Sequence, residues 1–119
     1  MARAVRLLLV EDHEDSAELL AEILESHGYT VSVARSARAA LSLAEVEVFD
    51  VVVSDVGLPD ASGYELMTKL RGKMKGIAIT GSAGEDAVAR GREAGFSAHL
   101  TKPVSVRRLE QAIEELGVS

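Results

Sequence analysis

Residues 49–66, FDVVVSDVGLPDASGYEL, contain the strand and loop on which the fold of the chain depends. Val51–Val53 are β-branched and Ser54 is small, which predicts a short buried strand ending on the carboxylate of Asp55. Turn-forming residues follow at once, namely Gly57, Pro59, Asp60, Ser62 and Gly63. Because ligands and chemistry lie at the carboxyl edge of open parallel sheets, Asp55 is predicted to occupy a functional edge.

Apolar runs typical of strands alternate five times with segments of helical periodicity. The predicted strands are 5–10, 30–34, 51–54, 76–80 and 97–100, and the predicted helices are 14–27, a segment capped by Ser36, 64–71, 85–94 and a segment beginning near Ser105. The second helix is predicted to bury Ala37, Ala40, Leu41, Ala44 and Val48. The short, alternating second strand is typical of a sheet edge. This alternation predicts one α/β domain over 1–119, with a parallel sheet covered by helices on both faces.

The composition limits the classes of function open to the chain. A length of 119 residues and a hydrophobic content of 47% fit one packed domain. The absence of cysteine excludes disulfides, thiolate metal sites and cysteine nucleophiles, and agrees with a cytoplasmic location. The net charge of −6 argues against direct nucleic-acid binding. No apolar run approaches the roughly 20 residues that span a bilayer, so no membrane insertion is expected. The run Val5–Val10 is predicted to be a strand and not a signal peptide.

Chemically active side chains stand where the predicted strands end. Glu11 and Asp12 follow the first strand, Asp55 follows the third, Thr80 ends the fourth, and Lys102 follows the fifth. Parallel strands end on the same side of a sheet, so these side chains are expected to converge in one cleft. Three carboxylates in one cleft repel each other unless a cation binds, and Mg²⁺ suits such a site. With a lysine and a threonine added, the set is typical of a site where a carboxylate attacks an incoming phosphoryl group in line.

Taken together, these motifs resemble the receiver domains of two-component response regulators. The matching pieces occur in the family's order and spacing over essentially the whole chain, and they are Leu8–Asp12, Asp55, Gly57–Asp60 with Gly63, Thr80, and Lys102-Pro103. The resemblance implies a doubly wound, flavodoxin-like fold, with five parallel strands in the order 2-1-3-4-5 and five helices on the two faces. It also implies a partner, because receivers take a phosphoryl group from the phosphohistidine of a histidine kinase or a histidine phosphotransfer domain.

The resemblance implies roles for the acidic residues. Asp55 is expected to be the phosphoacceptor and to form an acyl phosphate. Asp12, Asp55 and the backbone carbonyl of Gly57 are expected to hold Mg²⁺, for which Mn²⁺ substitutes. Glu11 matches the family's first acidic position, which reaches the metal through water.

The resemblance also implies roles for the residues around the phosphoryl group. Lys102 is expected to pair with the phosphoryl oxygens, and Thr80 is expected to donate a hydrogen bond to one of them. A cis peptide bond is expected before Pro103, where it aims the lysine into the cleft. Movement of Thr80 and Lys102 is then expected to switch the face formed by helix four, strand five and helix five. That face would bind a downstream target or a second copy of the domain.

Three positions bear on how this chain differs from the receivers that it resembles. His99 stands at the switch position, three residues before the lysine, where the family usually has an aromatic residue. Two interpretations of His99 are open: a switch that depends on pH, or a partly exposed histidine without a signalling role. Gly57 and Ser82 stand two residues after Asp55 and Thr80, at positions that in the family tune the lifetime of the acyl phosphate. Both are small, so they shield the phosphoryl group little and orient no water, and the direction of their net effect is left open.

Several alternatives remain open at the level of sequence. His13, beside the acidic pair, is either an ordinary surface histidine or a contact with a partner. The domain is a phosphoreceiver, a degenerate receiver that docks without phosphorylation, or an aspartyl-nucleophile phosphatase. Phosphatases of the dehalogenase type carry a second acid two residues after the nucleophile, where this chain has Gly57, so a conventional enzyme is not expected. Residues 76–81 and 94–104 resemble receivers at the C-terminal end of hybrid histidine kinases, which leaves open both a stand-alone regulator and a fragment of such a kinase.

Overall fold

Strands and helices alternate along residues 4–81 and 84–118, which the computed structural model describes. The strands are β1 (Arg6–Val10), β2 (Thr30–Ala34), β3 (Val51–Asp55), β4 (Lys75–Thr80) and β5 (Ala98–Thr101). The helices are α1 (Glu14–Ser26), α2 (Ala37–Val46), α3 (Gly63–Leu70), α4 (Glu85–Ala94) and α5 (Val106–Glu115). The predicted succession of elements is confirmed, with bounds that differ by one or two residues. None of the described helices is both long and apolar enough to cross a membrane.

The five strands form one parallel sheet in the order β2-β1-β3-β4-β5. β3 lies at the centre of the sheet, with Val53 in register with Leu9 of β1 on one side and with Ile77 of β4 on the other. β2 is an outer strand, as its alternating sequence predicted. The predicted doubly wound fold with strand order 2-1-3-4-5 is therefore confirmed. Because every strand runs the same way, the residues that follow β1, β3, β4 and β5 share one edge.

Two hydrophobic clusters cover the two faces of the sheet. Val51 and Val53 belong to the cluster that includes Leu24 of α1 and Leu109 of α5. Val52 points to the opposite face and belongs to the cluster formed with α2, α3 and α4. All three valines have no exposed surface. A strand covered on both faces needs apolar residues at every position, which is why an unbroken valine run marks the central strand.

Serine side chains cap α2, α3 and α5. The hydroxyl oxygens of Ser36, Ser62 and Ser105 each accept a hydrogen bond of 3.0–3.1 Å from the backbone N–H group three residues later. Each bond satisfies a donor that has no partner inside the helix. The predicted cap at Ser36 and the predicted helix start near Ser105 are confirmed. The cap at Ser62 fixes the end of the loop that follows β3.

The prediction that α2 buries Val48 is wrong. α2 ends at Val46, and Glu47 takes up an extended backbone conformation. The Glu47 carboxylate accepts a hydrogen bond of 2.9 Å from the Arg6 guanidinium on β1, so it holds the chain in a path that leaves the helix. Val48 consequently lies outside the core with 74% of its surface exposed, and Phe49 is buried in its place.

Gly63 begins α3 in close contact with the strand that carries Asp55. A Cβ atom added at Gly63 would collide with the backbone carbonyl oxygen of Asp55 and would lie 2.9 Å from Cα of Val56. These are backbone atoms, which cannot swing aside like the end of a flexible side chain. We therefore expect Gly63→Ala to lower the free energy of unfolding by about 2–3 kcal/mol, as measured by urea denaturation. Gly81→Ala is the matched control, because nothing lies within 4 Å of its added Cβ. Equal stability of the two variants would contradict this prediction.

Candidate functional site

The ends of β1, β3 and β5 bring three acids and a lysine to one edge of the sheet. Glu11 and Asp12 directly follow β1, whose last residue is in register with the residue before Asp55. Asp55 is the last residue of β3 and is only 4% exposed. Lys102 directly follows β5. The structure thus places these four side chains, all identified from the sequence, around one cleft.

Lys102 bridges the two carboxylate oxygens of Asp55. Its Nζ lies 2.9 Å from Oδ2 and 2.8 Å from Oδ1. The lysine side chain is partly exposed while the aspartate is buried, so the ammonium group reaches into the cleft from the surface. Burial lowers the pKa of Lys102, but the hydrogen bond and the charge of Asp55 outweigh it and raise that pKa. The lysine therefore stays charged and fixes the position of the Asp55 carboxylate.

Glu11 and Asp55 compete for one proton. Burial, followed by the hydrogen bond and the charge of Glu11, raises the pKa of Asp55 from 3.8 to about 6, although Lys102 opposes this shift. Burial also raises the pKa of Glu11, but the hydrogen bonds of Asp55 and His13 outweigh it and lower that pKa. A proton bound to the pair is therefore held on Asp55. The repulsion between two adjacent carboxylates of this kind is lowered when a cation binds near them.

His13 also lies at the cleft. The sequence alone left open whether this residue is an ordinary surface histidine or a contact with a partner. Its Nδ1 lies 2.8 Å from Oε1 of Glu11 and 3.5 Å from Oδ1 of Asp12, and its backbone N–H donates a hydrogen bond of 3.1 Å to the same Glu11 oxygen. The hydrogen bond to Glu11, together with the charges of Asp12 and Glu11, raises the pKa of His13. The ring is otherwise 72% exposed to solvent. The only signal in the sequence was the position of a histidine directly after two acids.

The donor atoms of the cleft fit a divalent cation. Glu11, Asp12, His13 and Asp55 each offer one ligand atom, and these four atoms all lie within 4.8 Å of one another. Oδ1 of Asp12 is buried and has no hydrogen-bond partner among the described residues. An oxygen that has left water without gaining a donor is destabilised unless a cation binds it. The carboxylate oxygens are of the kind that hard ions such as Mg²⁺ prefer.

The remaining residues implied by the resemblance lie around this cleft. Thr80 ends β4, and its backbone carbonyl accepts a hydrogen bond of 2.8 Å from the N–H group of Lys102. The peptide bond between Lys102 and Pro103 is cis. Gly57 lies in the loop after β3, where it forms a β-bridge with Ser62. Ser82, the second position implied to tune the lifetime, lies outside the described residues.

His99 lies on β5, away from the acids. It lines two surface cavities of about 310 and 220 Å³, one bordered by α5 and the other by α4. The residue is partly buried, and its Nε2 is buried without a hydrogen-bond partner among the described residues. No described hydrogen bond or ion pair joins His99 to the acids. His99 thus borders a cavity next to α5 and another next to α4.

An apolar groove of about 690 Å³ opens beside Asp55. One wall is α1, which contributes Leu19, Leu20 and Ile23, and the other is the segment after Pro103. Leu19 is 60% exposed where it lines this groove. The groove therefore connects the buried carboxylate with an exposed apolar surface of α1.

Asp60 has a structural role that the sequence did not reveal. Its two carboxylate oxygens each accept a hydrogen bond of 2.9 Å, one from the backbone N–H of Ala37 and one from that of Arg38. These bonds lower the pKa of Asp60. Asp60 thus ties the loop after β3 to the first turn of α2. No local pattern predicts this contact, because its partners lie more than 20 residues earlier in the chain.

The same residues can be compared with those of known proteins. A family model described as the response regulator receiver domain matches residues 7–114. The chain belongs to this family. The matched range runs from the second residue of β1 into α5, so it includes the sheet except for Arg6 and every residue of the cleft.

Individual relatives and a solved structure agree with this assignment. The receiver is 40% identical to the response regulator receiver protein Anae109_2439 of Anaeromyxobacter sp., with 87% of this chain and 45% of that protein covered. It is 34% identical to the sensor histidine kinase AruS of Pseudomonas aeruginosa, with 98% of this chain and 12% of that protein covered. A CheY-like receiver domain protein from Methanospirillum hungatei matches its fold with a TM-score of 0.88 at 36% identity, with 95% of this chain and 93% of that chain covered. The chain spans less than half of the length of both sequence relatives, so the similarity concerns only part of each.

Proposed function

We propose that Asp55 is the phosphoacceptor of this receiver and takes its phosphoryl group from a phosphohistidine. The observation that carries the proposal is the Asp55 carboxylate itself, which is buried, bridged by Lys102 and close to the carboxylate of Glu11. A carboxylate in this setting is fixed in orientation and lies beside a positive charge. Both properties favour in-line attack on a phosphorus atom whose oxygens carry negative charge.

The transfer needs only the phosphohistidine, the Asp55 carboxylate and a proton from solvent. An oxygen of Asp55 attacks the phosphorus of the phosphohistidine, and a phosphorus–oxygen bond forms as the phosphorus–nitrogen bond breaks. The electron pair passes to the imidazole nitrogen, which takes up a proton from solvent. The products are an acyl phosphate on Asp55 and a free histidine on the partner. Lys102, which now bridges the two Asp55 oxygens, then pairs with the phosphoryl oxygens.

A divalent cation, when bound, offsets the charge of the acids and of the phosphoryl oxygens. We assign Mg²⁺ to this role, with Mn²⁺ as a substitute. Asp12, Asp55 and the backbone carbonyl of Gly57 would hold the ion directly, and Glu11 would hold it through water. The buried oxygen of Asp12 without a hydrogen-bond partner among the described residues supports the assignment.

The phosphodonor is proposed to be a histidine kinase or a histidine phosphotransfer domain, the class of partner with which receiver domains interact. The groove between α1 and the segment after Pro103 leads directly to Asp55 and exposes Leu19. A helix of the partner that carries the phosphohistidine would place apolar side chains on this surface. Absence of cysteine agrees with a cytoplasmic setting for the exchange.

Phosphorylation is proposed to switch the face formed by α4, β5 and α5. The added phosphoryl group carries close to two negative charges, around which Thr80 and Lys102 would reposition. Thr80 and Lys102 are joined through their backbones, and His99 lies three residues before Lys102 between the two helices. A downstream target or a second copy of the domain would bind this face. Gly57 and Ser82 would set the lifetime of the acyl phosphate.

Labelling with a small phosphodonor tests the proposed function. The purified receiver is mixed with acetyl phosphate and MgCl₂, and its intact mass is expected to rise by about 80 Da, the mass of one phosphoryl group. Fragmentation is expected to place the adduct on Asp55, and EDTA is expected to prevent it. Asp60→Asn is the matched control and should be labelled as the wild type is, because Asp60 caps α2 and lies outside the cleft. Failure to form an adduct, or an adduct on another residue, would contradict the proposal and favour a docking module that needs no phosphorylation.

A further inference from the structure

We propose that this receiver accepts phosphoryl groups from acyl phosphates of fatty acids, and that it prefers longer acyl chains because the groove beside Asp55 binds them. The inference rests on the proposed function in making Asp55 the nucleophile. It adds a class of small-molecule substrate, and a reason for selectivity within that class, which none of the roles assigned above requires.

The walls of the groove are apolar. Leu19, Leu20 and Ile23 all line it from α1, and their spacing of three or four residues places them on one side of the helix. Val104 and Val106 line it from the opposite side. The volume of about 690 Å³ lies within the range of sites that bind small molecules. A short hydrocarbon chain would therefore find apolar side chains on both sides.

The inner end of the groove is charged. Asp55 and Lys102 both line it, and Nζ of Lys102 lies 2.9 Å from Oδ2 of Asp55. Asp55 is buried whereas Leu19 is 60% exposed, so the groove leads from the carboxylate outward to apolar surface. An acyl phosphate complements both parts, because Lys102 would pair with its phosphate and the walls would remove its chain from water. Inorganic phosphate would use only the charged end.

In-line attack fixes the direction of the chain. An oxygen of Asp55 attacks the phosphorus, a phosphorus–oxygen bond forms, and the bond between phosphorus and the acyl oxygen breaks. Its electron pair leaves on the carboxylate of the fatty acid, and no proton is transferred. The leaving oxygen stands on the side of the phosphorus opposite to Asp55, so the chain extends toward the exposed end of the groove. It would occupy the surface that a partner's side chains would otherwise cover.

Labelling of the intact receiver with acetyl, butyryl and hexanoyl phosphate in MgCl₂ tests the inference. The initial rate is followed by intact mass at donor concentrations below saturation. Acetate, butyrate and hexanoate are leaving groups of nearly equal basicity, so the bond-breaking step is the same for all three. A half-covered methylene group strengthens binding about twofold. Because the groove is open at Leu19, we expect rates about fourfold higher for butyryl and about fifteenfold higher for hexanoyl than for acetyl phosphate.

Leu19→Gln tests whether the groove is the cause of the preference. The variant removes apolar surface from one wall, so the ratio of the hexanoyl to the acetyl rate is expected to fall below about five. Val46→Gln is the matched control, because Val46 is 79% exposed but ends α2, which packs on the other face of the sheet. It should keep the ratio of the wild type. Leu19 is exposed, so its variant is expected to fold, and a ratio of two rates does not depend on the active fraction.

Each other outcome overturns the inference. Equal rates for the three donors would show that the groove does not bind the acyl chain and serves only a protein partner. A preference that persists in Leu19→Gln, or that is lost equally in Val46→Gln, would place the chain elsewhere on the receiver. Absence of an adduct on Asp55 with every donor would refute the phosphoacceptor itself, whereas an adduct without a preference would refute only this inference.

Discussion

Asp55→Asn is expected to abolish labelling by acetyl phosphate and, at the same time, to raise the stability of the metal-free receiver at pH 7.5. The loss of labelling follows because an amide oxygen does not form the acyl phosphate. The gain in stability follows because Asp55 is 4% exposed and its pKa is raised to about 6. A carboxyl group whose pKa rises on folding is more costly to ionise in the folded chain than in the unfolded one. The amide has nearly the same shape and carries no charge.

The size and the pH range of the gain follow from the shift of Asp55. A rise from 3.8 to about 6 corresponds to roughly 3 kcal/mol. We expect a gain of about 1–3 kcal/mol, because the shift already includes the opposing ion pair with Lys102 and part of it comes from Glu11, whose own ionisation changes when Asp55 becomes an amide. Well below pH 3.8, the pKa of the unfolded chain, the carboxyl is protonated in both states, so the variant and the wild type should be equally stable. The folded wild type holds its proton longer, so its stability falls relative to that of the variant as pH rises from about 4 to about 6. Above that range the difference is constant.

Urea denaturation in EDTA at pH 4, 5, 6 and 7.5 measures this difference. Asp60→Asn is a control whose stability is expected to change in the opposite direction, because backbone N–H groups of α2 lower the pKa of Asp60. A depressed pKa contributes stability above the pKa of the unfolded chain, and this stability disappears as pH falls. Asp60→Asn should therefore be less stable than the wild type at pH 7.5 and approach it in acid. An Asp55→Asn receiver that is no more stable than the wild type at pH 7.5 would show that the carboxylate is not destabilised by its surroundings.

The strands and the acids of the cleft were predictable because their signals are local. The run Val51–Val53 is apolar at every position, as a central strand must be, and Asp55 stands where that run stops. Once parallel strands are assumed, the residues that follow them must share an edge. The order of the strands came from the resemblance to receivers and not from periodicity, which does not specify which strands are neighbours.

Contacts between distant segments were not predictable in the same way. Asp60 binds the first turn of α2, and Glu47 pairs with Arg6 and takes the chain out of α2 before Val48. Each contact joins residues more than 20 positions apart, so no window of sequence contains both partners. The direction of the His13 ring depends on a side-chain rotation, which the sequence does not encode. The residues of the cleft could therefore be identified from the sequence, whereas their hydrogen bonds could be found only in the structure.

Lys102→Ala is expected to strengthen Mg²⁺ binding while it uncouples labelling from switching. Nζ of Lys102 bridges both oxygens of Asp55, one of the proposed metal ligands, and the lysine also interacts with the charges of Glu11 and Asp12. Its removal takes away a positive charge that opposes a cation in the cleft. Because the lysine is partly exposed and solvent screens it, we expect a gain in Mg²⁺ affinity of about tenfold. Labelling should largely persist, since Asp55 is still present to attack the phosphodonor. Switching should be lost, because no ammonium group remains to pair with the phosphoryl oxygens.

Titration with MgCl₂, intact mass after labelling, and amide NMR shifts of α4, β5 and α5 measure the three effects on one variant. Lys75→Ala is the matched control, because Lys75 is exposed and its Nζ donates to the backbone carbonyl of Leu116 at the opposite edge of the sheet. It should leave Mg²⁺ affinity, labelling and the shifts unchanged. Weaker Mg²⁺ binding in Lys102→Ala would mean that the lysine organises the acids for the metal. Normal shifts on phosphorylation would mean that Thr80, and not the lysine, transmits the phosphoryl group's presence to α4 and α5. The first result would contradict the expected gain in Mg²⁺ affinity, and the second would place the coupling of Asp55 to that face in a different residue.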